Sequence, residues 1–415
     1  MSSEELVVGL DIGTTKVCAV IGELSGNGIE ITGVGTSPST GLRKGVVVNI
    51  EATLRSVSQA VEAAEMMSGR EIHEVWTGIG GSHIEGINSR GVVAVTGRGR
   101  ETREIGADDI KRVLEAAQAV LIPMDRKLLE VIPQNYIVDD QRGIQDPLNM
   151  IGVRLEAEVH IITCSTTGAQ NLIKCVNRAG FRVKDLILQT LAAGRAVLTD
   201  EEKELGVALV DLGGGTTNLL VYSEGAPYSI STIPAGGTQV SSDISIIKNI
   251  SFETAEKIKL DAGCCWEPFL EDDDEIIVPG VGGRAPQAIP KSQILAIIRP
   301  RMEETFKLVK EKLDKLIFTR PLGGVVLTGG GAALLGAADL AAHVFNLPVK
   351  VGIPLPVGGL VEDYRSPAFA TAVGLALEGY DREQKDGSAP GFDPREKGGP
   401  RVWEKLREWF EKEFF

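Results

Sequence analysis

One device occurs twice in this chain and constrains its fold more than any other feature. It consists of an apolar strand, an aspartate, a glycine turn, two threonines and a second apolar strand. The first copy reads Leu10-Asp11-Ile12-Gly13-Thr14-Thr15, and the second runs from Val210-Asp211-Leu212-Gly213 through Thr216-Thr217. Flanking Val/Ile-rich runs, Val7 to Leu10 with Val17 to Ile21 and Leu205 to Val210 with Leu219 to Tyr222, predict a hairpin of buried strands at each copy. The repetition predicts two halves of similar plan, about 200 residues each.

Each half mixes strands with helices. Apolar spacing predicts a helix over Ala52 to Met67. A compact α+β insertion is expected from Ser82 to Val159, with strands at Gly91 to Val95 and Leu128 to Val138 and a helix at Asp108 to Leu121. A strand at Glu158 to Cys164, a helix at Thr167 to Ala179 and a strand at Val183 to Leu188 follow. The second half continues with a helix at Phe252 to Ala262, an acidic loop at Glu271 to Glu275, a long helix at Ile294 to Leu316 and a strand at Val325 to Leu327. It closes with Gly329-Gly330-Gly331 and a helix running to Phe345. The expected organisation is a first domain 1–204 with the inserted subdomain 82–159, then a second domain 205–378 with a subdomain 235–320. Residues 379–400 turn to Gly, Pro and charge, the signature of a flexible linker, and 401–415 become strongly aromatic.

The chain of 415 residues carries 43 Lys+Arg against 57 Asp+Glu, a formal charge of -14, which argues against nucleic acid as a partner. Its five cysteines are odd in number and contain no CxxC pair, so neither a disulfide framework nor a zinc site is expected. His73, His83, His160 and His343 are dispersed and match no nucleophilic triad. The N-terminus lacks a basic signal-peptide region and no apolar run approaches a membrane span, so a cytoplasmic location is expected, with membrane contact from that side left open.

The glycine turns carry the chemistry. A nucleoside triphosphate with its magnesium needs backbone N–H groups near the phosphate oxygens and carboxylates one water away from the metal. Gly13, and Gly213, Gly214 and Gly215, let the main chain approach. Thr14, Thr15, Thr216 and Thr217 offer hydroxyls, Lys16 offers a point charge for the terminal phosphate, and Asp11 and Asp211 would hold hydrated Mg2+. Neither turn is a Walker loop, since the glycines lead into a strand and no GxxxxGK[ST] exists. Gly329, Gly330 and Gly331 lie between a strand and an expected helix, whose N-terminal amides would face a phosphate or the nucleoside.

At these three loops the sequence resembles the actin-like ATPase superfamily, and within it most closely the FtsA family of bacterial cell-division proteins. The resemblance extends over the whole chain, through LDIGTTKVCAVIGE, the insertion, LGVALVDLGGGTTN, VPGVGGRAP, GGVVLTGGGA, SPAFATAVGLA and the aromatic tail. It implies an α/β, actin-like fold of two duplicated domains around a nucleotide cleft, with an FtsA-type α+β insertion subdomain and a C-terminal amphipathic helix. It implies ATP and Mg2+ as ligands, bound by the residues named above and by Asn218. Glu256 and Lys259, three apart on one helix face, would meet ribose and adenine, with a solvated ion pair as the other reading. Gln189 stands near the place where actins position the attacking water. The expected ATPase is slow at most, with nucleotide acting as a conformational or polymerisation switch.

The resemblance also implies partners: self-association, later division proteins at the insertion, and the C-terminal tail of the tubulin-like FtsZ at Arg284 and Arg301, whose guanidinium groups suit carboxylates. In the tail, Val402, Trp403, Leu406, Trp409, Phe410 and Phe414 cover one stripe of a helix about 140° wide, with Glu404, Glu408, Glu411, Lys405 and Lys412 opposite. This is the composition of an interfacial helix, and it resembles the family's membrane-targeting sequence at the cytoplasmic face of the division site. Four Glu offset four basic residues there and Glu413 enters the stripe, so affinity would rest on buried aromatic area. Two alternatives share the fold. A small-molecule kinase should own a catalytic Asp base and a substrate domain, neither of which is identifiable, and a type IV pilus assembly adaptor would not require the aromatic tail.

Overall fold

The computed structural model describes residues 6–25, 28–95, 102–270, 274–278, 285–317, 321–359 and 365–387. Arg284, residues 271–273 of the acidic loop and the tail stripe Val402 to Phe414 lie outside them. Each copy of the repeated device opens a sheet. The first has the order Arg182–Leu188, Glu74–Ile79, Leu6–Ile12, Lys16–Ser25, Gly28–Pro38, Gly358–Gly359; the second has the order Ala226–Ile233, Thr217–Ser223, Val207–Leu212, Gly324–Thr328, Val349–Val351. In both, three successive strands run antiparallel and two later ones join the opening strand's other side in parallel.

The two hairpins share one register. Asp11 faces Cys18 and Ile12 faces Val17, while Asp211 faces Asn218 and Leu212 faces Thr217, so the same pairing recurs 200 positions later. Each turn is closed by the same bond, Gly13 N to Lys16 O and Gly213 N to Thr216 O, both 2.9 Å. The strands are near-continuous apolar runs because helices cover the sheets. Val207–Leu212 is buried at every position.

Helix Ile50–Ser68 starts at Asn49, whose side chain accepts from Ala52 N, and stops at left-handed Gly69. It presses on strand Gly28–Pro38 so closely that a Cβ on Gly35 would lie 2.0 Å from Ala60 O. That strand and Ala226–Ile233 have no counterpart in the sequence reading, because GIEITGVGTSP and its equivalent carry too much Gly, Ser and Pro to stand out as strands.

The insertion is a four-stranded antiparallel sheet in the order Gln141–Ile144, Arg126–Val138, Arg154–Ser165, Glu85–Ala94. Helix Ala107–Gln118 covers it through Val113 and Ala117, which join Leu155, Ala157, Val159 and Ile161 in one core. Asp109 is buried in this helix, bonded by Arg103 at 2.6 and 2.7 Å, by Arg112 and by Gly106 N. Strand Arg154–Ser165 runs past the expected end at 159 and straight into helix Thr166–Arg178. Arg126 joins the two connections, donating to His83 O at 2.9 Å and to Thr163 O at 3.1 Å.

Two helices cross between the sheets. Gln189–Val197 puts Gly194 against Leu220 and Tyr222 of the second sheet, and helix Ala370–Gly387 packs Ala372 and Ala376 over Gly9 of the first. They meet where a Cβ on Gly374 would stand 1.7 Å from Ala192 O. Residues 358–359 and the last helix therefore lie on the first sheet, although the chain order assigns them to the second half. The expected linker at 379 is helical to Gly387, since Arg382, Glu383, Gln384 and Lys385 are polar but good helix formers. In the second half, Phe306 of helix Lys291–Ile317 meets Phe345 edge-on at 5.5 Å. All five cysteines are free and buried. Among the described residues no helix is long and apolar enough to cross a membrane.

Candidate functional site

The two glycine turns face each other. A Cβ on Gly214 would lie 2.4 Å from Thr15 Cγ2, and one on Gly215 would lie 2.6 Å from Thr14 Oγ1. Only backbone without a side chain fits there. The structure thus brings Gly13, Thr14 and Thr15 together with Gly213, Gly214, Gly215 and Thr216, as the sequence reading requires. Thr217 is turned away from the opposite turn, its hydroxyl donating to Ala235 O at 2.8 Å.

Behind the turns sit the two aspartates at equivalent positions in the two strands. Burial pushes the Asp11 carboxyl up to about 6, against the pull of Lys16 and the Gln189 amide. Burial and the neighbouring Asp11 charge push Asp211 up to about 6 as well, opposed by the Asn218 amide, which is 3.5 Å away. Asn218 is fixed in turn by Thr232 Oγ1 at 3.1 Å. Two neighbouring carboxylates, one buried and one half-buried, both held above their ordinary proton affinity, are a set that a divalent cation would relieve. Two rather than four or more protein ligands suit Mg2+, which keeps several waters.

The third glycine loop closes over the second aspartate. Gly329, at φ +81°, has no room for a Cβ, which would meet Asp211 Oδ1 at 2.3 Å, whereas Gly330 has open space. The helix expected directly after Gly331 is a single 3-10 turn, Gly330–Ala333, and the α-helix starts only at Ala337. Gly336, at positive φ, separates that short turn from the helix Ala337–Phe345.

Glu256 and Lys259 share a helix face as their spacing requires. Lys259 Nζ contacts both Glu256 carboxylate oxygens at 2.8 and 2.9 Å and Gly237 O at 3.2 Å, and Ser241 Oγ donates to Glu256. Gly237 N in turn donates to Gly213 O at 3.0 Å, and Thr238 donates to Gly214 O through its N at 2.8 Å and its Oγ1 at 2.9 Å. The pair is therefore linked to the second turn rather than freely solvated. Gly236, Gly237 and Thr238, at the start of helix Gly237–Lys248, escaped the sequence reading. The signal was available as the Pro234-Ala235-Gly236-Gly237 break between a strand and a helix.

Three residues stand differently from expectation. Lys16 Nζ donates to Ala368 O at 2.7 Å and lies 4.1 Å from the Phe369 ring centroid, so its charge is held on the turn before the last helix. Gln189 Nε2 donates to Asp11 Oδ1 at 2.7 Å, and its side chain fills the space over Gly78 and Gly80. Arg301 is paired with Asp243 at 2.6 and 3.2 Å and with Glu304, on the rim of a groove of about 320 Å³ that Ile247, Ile297 and Pro300 also line. Its guanidinium already holds two carboxylates.

Comparison with known proteins agrees with this architecture. The family model described as "Cell division protein FtsA" matches residues 208–374, and the one described as "SHS2 domain inserted in FTSA" matches residues 81–163. The cell division protein FtsA of Borreliella burgdorferi is 44% identical over 100% of both chains. Among solved structures, the PilM-PilN type IV pilus biogenesis complex has a TM-score of 0.66 at 18% identity, covering 90% of this chain and 98% of that one. MreB5 of Spiroplasma citri bound to ADP has a TM-score of 0.55 at 15% identity, covering 94% and 100%. These two share the actin-like α/β fold with this chain, and the full-length identity to the Borreliella protein decides the narrower question: the chain belongs to the FtsA family of cell-division proteins.

Proposed function

We propose that this cell-division protein binds ATP with Mg2+ in the cleft beside its two touching glycine turns and uses the bound nucleotide as a switch for self-association. The observation that carries the reading is the approach of Gly214 and Gly215 to Thr15 and Thr14, with half-buried Asp11 and buried Asp211 behind them. Backbone amides of the turns would take the phosphates, Asp11 and Asp211 would hold Mg2+ through water, and Gly329 to Gly331 with Glu256 and Lys259 would flank the nucleoside. Bound Mg2+ would neutralise phosphate charge. Gln189, bonded to Asp11, would orient that carboxylate, and through it the water shell. The solved MreB5 relative bound to ADP supports a nucleotide in this fold.

The same reading extends to partners. The chain would tether the FtsZ ring to the inner face of the cytoplasmic membrane through the C-terminal amphipathic helix, and recruit later division proteins through the insertion at 82–159. For the FtsZ tail, the groove beside Arg301 supports an apolar anchor at Ile247, Ile297 and Pro300. An acidic tail would have to exchange with Asp243 or Glu304 at the guanidinium.

Liposome flotation with ATP and Mg2+ tests the tether, using the intact chain and a version ending at Gly399. Flotation of the intact chain alone supports the membrane reading, whereas equal behaviour of the two overturns it. Thermal stabilisation by MgATP tests the cleft. A rise in Tm that Asp211→Asn abolishes is the expected result, and no rise in the intact chain sinks the nucleotide reading.

A further inference from the structure

The residue that sequence position nominates for the terminal phosphate, Lys16, has its ammonium on Ala368 O and the Phe369 ring. Another cation stands at the same turn. Residues Leu42–Arg43 and Val46–Val47 form a two-stranded hairpin with Leu42 opposite Val47 and Arg43 opposite Val46, which leaves Lys44-Gly45 as a two-residue tip. Both tip residues have positive φ, 51° at Lys44 and 77° at Gly45. That is the geometry of a type I′ turn, whose first position ordinarily takes Asn, Asp or Gly. A lysine there carries backbone strain that glycine would not. Among the described non-glycine residues at positive φ, Lys44 is the one with a cationic side chain.

The tip rests on the first glycine turn. Gly45 N donates to Thr14 Oγ1 at 3.1 Å, and Gly45 packs so tightly on Gly81 that a Cβ would lie 2.5 Å from the Gly81 Cα. Thr14 is the residue that faces Gly215 of the second turn. Lys44 therefore sits one residue from a group bonded to the meeting point of the two turns, and its side chain is exposed. Its long flexible stem carries a compact point charge suited to a phosphate.

We infer that Lys44, presented by the 42–47 hairpin, is the cation that distinguishes a nucleoside triphosphate from a diphosphate in this cleft. The inference rests on the reading of the cleft as a nucleotide site. A terminal phosphate beside the touching turns meets Thr14 and the hairpin tip, and its loss removes the charge that holds the tip. The tip then reports the nucleotide state to strand Gly28–Pro38 and helix Ile50–Ser68, between which residues 42–47 lie in sequence.

The test is equilibrium binding of MgATP and MgADP to the full chain and to Lys44→Asn. Asparagine suits the left-handed position, so the variant keeps the turn and should melt no lower than wild type. The expected result is an affinity for MgATP about 10-fold weaker with MgADP affinity unchanged within about 2-fold, and restoration of the ATP preference by Lys44→Arg. Wild-type chain that binds neither nucleotide overturns the nucleotide reading and this inference with it. Wild-type chain that binds both, with Lys44→Asn keeping the same ATP-to-ADP ratio, overturns this inference alone, as does an equal loss for both nucleotides.

Discussion

The side-chain amide of Gln189 donates to Asp11 Oδ1 at 2.7 Å, joining residues 178 positions apart at the start of a helix and the end of a strand. This bond ties the crossing helix Gln189–Val197 to the carboxylate of the first glycine turn. It favours the charged form of Asp11 against burial, which raises that group's pKa to about 6.

Removing the amide should therefore weaken the site from a distance. Gln189→Ala leaves a buried carboxylate without its donor, which costs about 1–3 kcal/mol and moves the Asp11 pKa further up. We expect a lower midpoint in urea and weaker MgATP binding, most pronounced below pH 7, where Asp11 then carries a proton. An unchanged pH profile of binding would show that the amide does not act through Asp11.

Asp211 should behave as a residue kept at a cost to stability. Its pKa is higher folded, about 6, than its ordinary value of 3.8. The folded state thus holds the proton more tightly, and the contribution to stability falls as pH rises from about 4 to about 6 and stays low above. Asp211→Asn should stabilise the ligand-free chain at pH 7.5 by about 2 kcal/mol and remove the stabilisation by MgATP. Chemical denaturation with and without nucleotide reads both effects.

Asp109 has the opposite sign. The Arg103 guanidinium beside it, then Arg112 and the Gly106 amide, hold its carboxyl well below the usual carboxylate range. Its stabilisation is present above the unfolded carboxylate pKa near 4 and is lost as pH falls below it. Asp109→Ala removes the acceptor shared by Arg103, Arg112 and Gly106 N and, because both arginines reach solvent, should destabilise the insertion by about 1 kcal/mol. Hydrogen exchange should quicken over Glu85–Ala94 and Ala107–Gln118 while strand Val207–Leu212 keeps its protection. Uniform loss would mean the insertion does not open alone.

Lys16 should matter to the ligand-free fold. Its ammonium holds the turn Pro367–Phe369 by one carbonyl and one ring, together worth about 1–2 kcal/mol. Lys16→Met should lower Tm by a few degrees without nucleotide present. Full retention of Tm would release Lys16 for the phosphate role its position in the sequence implies.

The duplicated plan is legible in the chain alone. Asp11 and Asp211, with a glycine turn and apolar runs on both sides, specify two hairpins locally, because strand burial, turn conformation and side-chain alternation are all read from neighbours in the chain. Helix Phe252–Ala262 was equally legible, with Ser251 as its cap. The third strand of each sheet was not, since Gly33 and Gly35 are present for a helix that packs on them and carry no strand signal of their own. Which charges are free is a tertiary outcome. Whether Lys16 meets a phosphate or Ala368, whether Arg301 is open or paired with Asp243, and whether Gln189 meets water or Asp11 depend on residues 58 to 352 positions away. An ion or hydrogen-bond partner is chosen by distance in space: the return of helix Ala370–Gly387 onto the first sheet brings Ala368 to Lys16, and the packing of helix Gly237–Lys248 on helix Lys291–Ile317 brings Asp243 to Arg301.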